Sequence, residues 1–280
     1  MTNALVSCQW LFDHLSDEKI RIVDASWYLP AQNRNGFEDY KTEHIPGALF
    51  WDIDLIAEKE SSLPHTMPDA TDFKRHMESL GIGNDNMIVI YDGLGIFSAA
   101  RPWWMLRSFG HEQCAVLDGG LPKWKADGYP LTSDIFQIQS STFIPAYRPN
   151  MFCNLQDILN NLDSDQSNVI DARSKGRFEG SQPEPRPNCR SGHIPGSLNV
   201  PFDQMLDPNS GTILEASSLQ QKFKDAGVDL EKPMITSCGS GVTACVLALA
   251  LHVLGKNDIS VYDGSWSEWG SSSETPVEVG

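Results

Sequence analysis

The chain has 280 residues and a formal net charge of −16 at pH 7. This charge argues against binding to nucleic acid or to an anionic membrane surface, because like charges repel. The hydrophobic fraction of 40% is ordinary for a globular protein, and the length suggests two domains. Residues 1–18 contain no Lys or Arg, unlike a secretory or organelle-targeting segment, so we expect a cytoplasmic location.

Short apolar segments alternate with helical patterns along both halves of the chain. In the first half, the pattern predicts strands at 21–24, 87–91 and 115–118 and helices at 71–80 and 98–109. In the second half, it predicts strands at 168–171, 234–237 and 259–262 and helices at 218–226 and 243–254. Such alternation is typical of an α/β fold in which a mainly parallel sheet carries helices on both faces.

The two halves also repeat each other. Three motifs of the first half recur in the same order about 145 to 149 residues later. The pairs are Ile-Val-Asp-Ala at 22–25 with Val-Ile-Asp-Ala at 169–172, His-Ile-Pro-Gly at 44–47 and 193–196, and Asp-Gly at 118–119 and 263–264, each with a Trp six residues after the Asp. We therefore predict two copies of one domain, at 1–134 and 151–280, joined by a Ser-, Pro- and Thr-rich linker at 135–150.

Six cysteines occur, and most are expected to be small buried hydrophobic residues. They are Cys8, Cys114, Cys153, Cys189, Cys238 and Cys245. No two have the Cys-x-x-Cys spacing of a zinc site, so we expect no metal and no cofactor. A chain of this size in a reducing compartment is also not expected to carry a disulfide framework.

The segment around Cys238 is the most informative part of the sequence. A predicted strand ends at Ser237, the chain turns through Gly239 and Gly241, and a helix begins near Thr243. Ligands of open α/β sheets bind beyond the carboxyl ends of the strands. A cysteine there faces the N–H groups of the loop and the positive end of the helix, which stabilise an anion. We therefore expect a reactive thiolate.

The corresponding position of the first copy holds a different residue. Asp92 follows the strand at 87–91 and stands 146 residues before Cys238. One copy thus keeps a nucleophile, and the other has a carboxylate in its place. This asymmetry predicts one catalytic domain and one domain without a catalytic cysteine.

The repeat, the His-Ile-Pro-Gly motifs and the six-residue loop Cys-Gly-Ser-Gly-Val-Thr at 238–243 together resemble the rhodanese superfamily over nearly the whole chain. The resemblance implies sulfur transfer through a persulfide on Cys238. The neutral Gly239 and Ser240 are similar to the loop of members that use 3-mercaptopyruvate, whereas members that use thiosulfate carry basic residues there. The implied products are pyruvate and a sulfur atom passed to cyanide, a thiol or thioredoxin.

The resemblance also indicates which residues form the site. Besides Cys238, it implies a catalytic role for Ser240 as a hydrogen-bond or proton donor. The remaining loop residues are expected to contact the substrate: Gly239, Gly241, Val242 and Thr243. Arg177 and Arg186 match an arginine pair that holds the substrate carboxylate, and planar guanidinium groups suit that task. Arg173, which follows Asp171 closely, is expected to form structural ion pairs instead.

The two motif histidines receive different predictions. The resemblance places His44 near the cleft, so we include it among the substrate-binding residues. In this motif the imidazole more often fixes the loop after the strand, which is the role expected for His193.

Two alternatives remain open, and a third is disfavoured. A thiosulfate sulfurtransferase would share every feature but the donor. A rhodanese-like binding module without activity would usually have lost the cysteine that this chain retains. Phosphatases and arsenate reductases of this fold use a longer Cys-x5-Arg loop, and position 244 here is Ala.

Overall fold

A computed structural model describes residues 4–280, which form two compact units. Unit 1 consists of residues 4–59, Met67–Arg148 and Asp207–Ile213. Unit 2 consists of Glu60–Thr66, Pro149–Leu206 and Leu214–Gly280. Packing, and not chain order alone, defines these units, so the domain limits suggested by the sequence remain a prediction.

Unit 1 is built on a five-stranded parallel sheet. Its strands are β1 (Leu5–Val6), β2 (Ile20–Asp24), β3 (Ala48–Phe50), β4 (Met87–Tyr91) and β5 (Cys114–Leu117). Their spatial order is β1-β5-β4-β2-β3, with every pairing parallel. The helices are α1 (Cys8–Asp13), α2 (Gly36–Thr42), α3 (Ala70–Ser79), α4 (Ala100–Ser108) and α5 (Gly120–Ala126), with a 3-10 turn at Pro30–Gln32.

Unit 2 repeats this plan. Its strands are β6 (Phe152–Cys153), β7 (Asn168–Asp171), β8 (Leu198–Asn199), β9 (Met234–Ser237) and β10 (Ile259–Tyr262). They are again parallel, in the order β6-β10-β9-β7-β8. The helices are α6 (Leu155–Ser164), α7 (Lys175–Phe178), α8 (Ala216–Asp225), α9 (Ala244–Val253) and α10 (Ser265–Trp269), with 3-10 turns at Pro149–Met151 and Phe202–Met205.

The predicted α/β class and the duplication are confirmed, because each unit has a parallel sheet flanked by helices and both sheets share one strand order. The central strand β9 is buried along its whole length. Helix α9 is also buried over eight consecutive residues, 244–251, so it lies in the interior of unit 2. Such all-round burial explains its uniformly apolar sequence. In residues 4–280, no helix has the length and apolar character that crossing a membrane requires.

The repeated tryptophans pack in the same way in both units. Trp124 and Trp269 are fully buried. Each donates its indole N–H to a proline carbonyl a few residues ahead, at 2.8 Å to Pro130 and 2.7 Å to Pro276. A buried indole needs such an acceptor. These tryptophans therefore anchor the segment that follows the last helix of each unit.

Candidate active site

Cys238 lies at the carboxyl end of β9, in the loop that leads into α9. Its side chain is buried, with 2% exposure. Gly241 has a φ of +76°, which favours glycine and allows the tight turn before the helix. The sulfur therefore occupies the position at which parallel α/β sheets bind ligands.

The segment after β10 supports this loop from the adjacent strand. Backbone N–H groups of Trp266 and Ser267 donate to the carbonyls of Cys238 and Gly239 at 3.0 and 2.9 Å. The hydroxyl of Ser267 donates to the same Gly239 carbonyl at 2.6 Å. The carbonyls of the loop thus point toward α10. This leaves the opposite side of the loop to face the arginines described next.

Both predicted arginines lie beside the loop. A methyl group built on Gly239 would be 3.2 Å from Nη1 of Arg186 and 3.3 Å from Nη2 of Arg177. Arg186 also donates through Nη2 to Oγ of Ser240 at 3.1 Å. A side chain at position 239 would therefore require one or both guanidinium groups to shift by a few tenths of an ångström. The structure brings Arg177, Arg186 and the loop together, as the sequence predicted.

A buried ion network holds these arginines. Glu184, whose side chain is 2% exposed, pairs with Nη2 of Arg177 at 2.6 Å and with Nη1 of Arg173 at 2.8 Å. Arg173 also pairs with Asp171 at 2.7 Å, so it forms the structural ion pairs expected of it. In residues 4–280, Arg186 has no carboxylate partner. The three guanidinium groups of Arg173, Arg177 and Arg186 and the two carboxylates of Asp171 and Glu184 leave one net positive charge beside the Cys238 loop.

Arg173 is fixed more firmly than either substrate candidate. Its side chain is fully buried, and its guanidinium carbon lies 4.2 Å from the ring centre of Trp266. It also donates to the carbonyl of Gly192 at 2.8 Å. Arg173 is therefore held by buried contacts on several sides, whereas Arg177 and Arg186 are partly exposed.

Sequence reasoning missed one residue of this site, His65. Its Nδ1 lies 2.9 Å from Oγ of Ser240, and the side chain is 6% exposed. Arg186 can only donate to Ser240, so the Ser240 hydroxyl can itself donate to His65 or to a bound ligand. His65 stands 175 residues before Ser240 in the chain, in a Pro-rich loop without periodicity. Neither the repeat nor a motif pointed to it.

The other loop residues occupy supporting positions. Val242 is 2% exposed, so it packs into unit 2. Thr243 immediately precedes α9, but its side chain makes no capping hydrogen bond. Their proposed contacts with substrate stay predictions.

The motif histidines lie deep in their own units. In unit 1, His44 is fully buried and its ring stacks on Tyr40. Its Nδ1 lies 2.6 Å from the carbonyl oxygen of Tyr40, and its Nε2 lies 3.2 Å from the carbonyl oxygen of Asp134. With both ring nitrogens at backbone carbonyls, His44 fixes its loop, and we therefore leave it out of the proposed substrate contacts. In unit 2, His193 does the same, stacked on Phe178 with Nδ1 2.8 Å from its carbonyl.

The corresponding loop of unit 1 demonstrates how this backbone holds an anion. The buried carboxylate of Asp92 accepts hydrogen bonds from four backbone N–H groups at 2.8 to 2.9 Å. The donors are Leu94, Phe97, Ser98 and Ala99. A loop with several inward N–H groups is a binding site for negative charge. In unit 2 the same loop position carries the sulfur of Cys238.

Three of the other cysteines lie in surroundings that keep them protonated. Burial raises the pKa of Cys8 to about 11, and it raises the pKa values of Cys114 and Cys153 to about 12. The thiolate is the nucleophilic form, so these three thiols are poor nucleophiles at neutral pH. Cys245 donates to the carbonyl of Gly241 at 3.2 Å and thus supports the loop.

Comparisons with known proteins agree with this geometry. The model of the rhodanese-like domain matches residues 7–127 and 154–272. The chain is 45% identical to thiosulfate/3-mercaptopyruvate sulfurtransferase 1, mitochondrial, of Arabidopsis thaliana, over 98% of this chain and 78% of that protein. It is 43% identical to 3-mercaptopyruvate sulfurtransferase of Mus musculus, over 95% of this chain and 91% of that one.

A solved structure shares the fold at similar coverage. The crystal structure of the 3-mercaptopyruvate sulfotransferase SseA from Escherichia coli superposes with a TM-score of 0.86 and 38% identity. The superposition covers 95% of this chain and 99% of that one. The chain belongs to the rhodanese family, with one rhodanese-like domain in each half.

Proposed function

We propose that this protein is a 3-mercaptopyruvate sulfurtransferase that carries sulfur as a persulfide on Cys238. The observation that carries the proposal is the position of Arg186, which contacts the Cys238 loop and has no carboxylate partner in residues 4–280. Its charge is available to an anionic donor in a chain that is otherwise strongly acidic. A carboxylate two carbons away from the reacting sulfur can reach this cation while the sulfur meets Cys238.

In the first half-reaction, the Cys238 thiolate attacks the sulfur of the donor. A sulfur–sulfur bond forms, the carbon–sulfur bond breaks, and its electron pair passes to carbon as the enolate of pyruvate. Protonation of that carbon releases pyruvate. The guanidinium groups of Arg186 and Arg177 would hold the carboxylate throughout, through charge-assisted hydrogen bonds.

Ser240 and His65 lie where they can serve the leaving enolate. The Ser240 hydroxyl is 4% exposed and contacts both Arg186 and His65. Donation from this hydroxyl to the developing enolate oxygen would stabilise negative charge inside a desolvated site. We infer that His65 orients the Ser240 hydroxyl and exchanges its proton.

In the second half-reaction, an acceptor attacks the outer sulfur of the persulfide and restores the Cys238 thiolate. Cyanide, a small thiol or thioredoxin would each suit this chemistry. The family implies a donor and an acceptor, and the choice among these acceptors is a proposal. The cytoplasmic location is likewise a prediction from the sequence, and the name of the Arabidopsis relative gives mitochondria as that protein's own location.

Thiosulfate is the second candidate donor, and one observation favours it. Two guanidinium groups lie within 3.3 Å of a methyl group built on Gly239, so a compact dianion would also find positive charge at the loop. Steady-state rates with the two donors, measured at equal concentrations with cyanide as the acceptor, separate the two functions. We expect the larger kcat/KM for mercaptopyruvate, and a larger value for thiosulfate would reverse the assignment.

A further inference from the structure

Ser265 has an unusual backbone conformation directly beneath the Cys238 loop. Its φ is +49°, a region that residues other than glycine rarely adopt. Among residues 4–280, five non-glycine residues have a positive φ, and three of them are exposed Asn or Asp residues, types that tolerate it. The two buried ones, His65 and Ser265, both contact the Cys238 loop. Buried strain of this kind concentrates at functional sites.

The Ser265 hydroxyl makes three hydrogen bonds, two of them to the loop. Its Oγ accepts from the backbone N–H of Cys238 at 3.2 Å and from that of Gly241 at 3.1 Å. It donates its own proton to the carbonyl of Tyr262 at 2.8 Å. A single, fully buried oxygen thus joins the two ends of the Cys-Gly-Ser-Gly turn to the end of strand β10.

Unit 1 organises its loop in a different way. The corresponding residue there is Gly120, with a φ of +55°. A Cβ atom on Gly120 would lie 2.2 Å from the carbonyl oxygen of Gly95, so a serine does not fit. The buried carboxylate of Asp92 instead collects four N–H groups from inside the loop. In unit 2 a thiol replaces that carboxylate, and the hydroxyl of Ser265 binds two N–H groups from outside.

We propose that Ser265 is a positioning residue for sulfur transfer, which holds the Cys238 loop in its reactive shape. This inference rests on the proposed function of Cys238. Sulfur is a weak hydrogen-bond acceptor, so Cys238 cannot order the loop as the carboxylate of Asp92 does, and the persulfide must form and disappear without the loop collapsing. The Ser265 oxygen accepts from the loop outside the sulfur position, so the turn can keep one shape whether Cys238 carries a persulfide or not. Gly120 has nearly the same φ without a hydroxyl, so the fold sets this conformation, and in unit 2 the serine side chain carries the strain.

The test is Ser265→Gly, because glycine removes the hydroxyl and relieves the strained φ together. We expect the single-turnover rate of persulfide formation from mercaptopyruvate to fall by about 10- to 100-fold, the usual effect of a small misplacement of a reacting group. KM should stay within about twofold, because the arginines are untouched. The melting temperature should stay close to that of the wild type. Ser265→Ala, which keeps the strain, should show the same loss of rate with a lower melting temperature.

Ser197→Ala provides the matched control. Ser197 is a buried serine of the same unit, and its hydroxyl donates to the Ile194 carbonyl at 2.6 Å. This variant should keep the wild-type rate. A wild-type rate in Ser265→Gly would overturn the inference, and so would a parallel loss of rate and melting temperature in that variant, which would indicate a merely structural role.

Alkylation of Cys238 by iodoacetamide, followed by peptide mass spectrometry, separates this inference from the proposed function. It requires no donor, and we expect it to be slower in Ser265→Gly than in the wild type, because the loop no longer holds Cys238 in its reactive position. If the wild type forms no persulfide but alkylation still slows in the variant, the proposed function fails and the positioning role stands. Equal alkylation rates would refute the positioning role alone.

Discussion

Replacing Arg186 by Leu tests how the site recognises an anionic donor. Arg186 contacts Ser240 and has no carboxylate partner in residues 4–280, so its removal leaves no buried charge behind. A charge-assisted hydrogen bond to a carboxylate contributes about 1.5–3 kcal/mol, or roughly 10- to 150-fold in kcat/KM. We expect Arg186→Leu to lose that much with mercaptopyruvate while its melting temperature stays near that of the wild type.

Arg177→Leu should behave differently, and the contrast makes the test specific. Arg177 neutralises Glu184, whose side chain is 2% exposed, at 2.6 Å. Its removal leaves Glu184 with Arg173 as its remaining partner in the network, at 2.8 Å. Removing one ion pair of a buried network destabilises the fold, so this variant should have both a lower activity and a lower melting temperature than the wild type.

The assay measures kcat/KM for mercaptopyruvate and thiosulfate, together with thermal denaturation, on the wild type and both leucine variants. Arg186→Lys is the conservative control, and it should retain part of the activity because it keeps the charge but lacks the bidentate fork. Equal losses for both donors in Arg186→Leu, at an unchanged melting temperature, would refute the reasoning, since Arg186 would then attract any anion and not read the carboxylate of mercaptopyruvate. A large fall in the melting temperature of that variant would also refute it, since Arg186 would then hold the structure.

Two further predictions concern the nucleophile and the pH dependence of stability. Cys238→Ser should abolish turnover with the fold intact, whereas Cys8→Ser and Cys114→Ser should retain most activity; turnover by Cys238→Ser would disprove the role of that sulfur. Burial raises the pKa of Asp24 from 3.8 to about 6, so the ionised carboxylate costs the folded state up to about 3 kcal/mol above about pH 6, and this cost disappears below about pH 4. Asp24→Asn should therefore gain stability relative to the wild type as pH rises from about 4 to about 7 in urea denaturation, and a difference that does not change with pH would contradict the assignment.

The central strands could be predicted from the sequence because they are continuous apolar runs between turn residues. The predicted bounds of β4, β7, β9 and β10 agree with the structure at every residue. The edge strands β1, β6 and β8 have two residues each, too few to produce a pattern. Helix α6 was missed although Asn154 and Asp157 form a capping box at its start, a signal that the sequence did contain.

The site was predictable only where motif and chain order agree. Cys238 follows a strand of the second copy, and the resemblance to the rhodanese superfamily indicated Arg177 and Arg186, which follow another strand of the same copy. Glu184 lies between the two arginines in sequence, and a carboxylate there could have been anticipated as their counter-charge. His65 could not, because long-range packing brings residues Glu60–Thr66 into unit 2 and nothing in the local sequence encodes that.

The role of Ser265 depends on backbone geometry that a sequence does not display. The repeat aligns Asp-Gly-Ser at 263–265 with Asp-Gly-Gly at 118–120, and the sequence alone gives no sign that the serine has a special role. Both residues have a positive φ, and only the two N–H donors at the Ser265 hydroxyl reveal the contrast with Gly120.

Peptide mass spectrometry after exposure to mercaptopyruvate tests the central claim most directly. The purified protein is treated with the donor in the absence of an acceptor, digested without reductant and compared with untreated protein. We expect the peptide that contains Cys238 to gain about 32 Da, the mass of one sulfur atom, with release of one equivalent of pyruvate and loss of the adduct when cyanide is added. Turnover without that adduct, or with the adduct confined to another cysteine, would contradict the account.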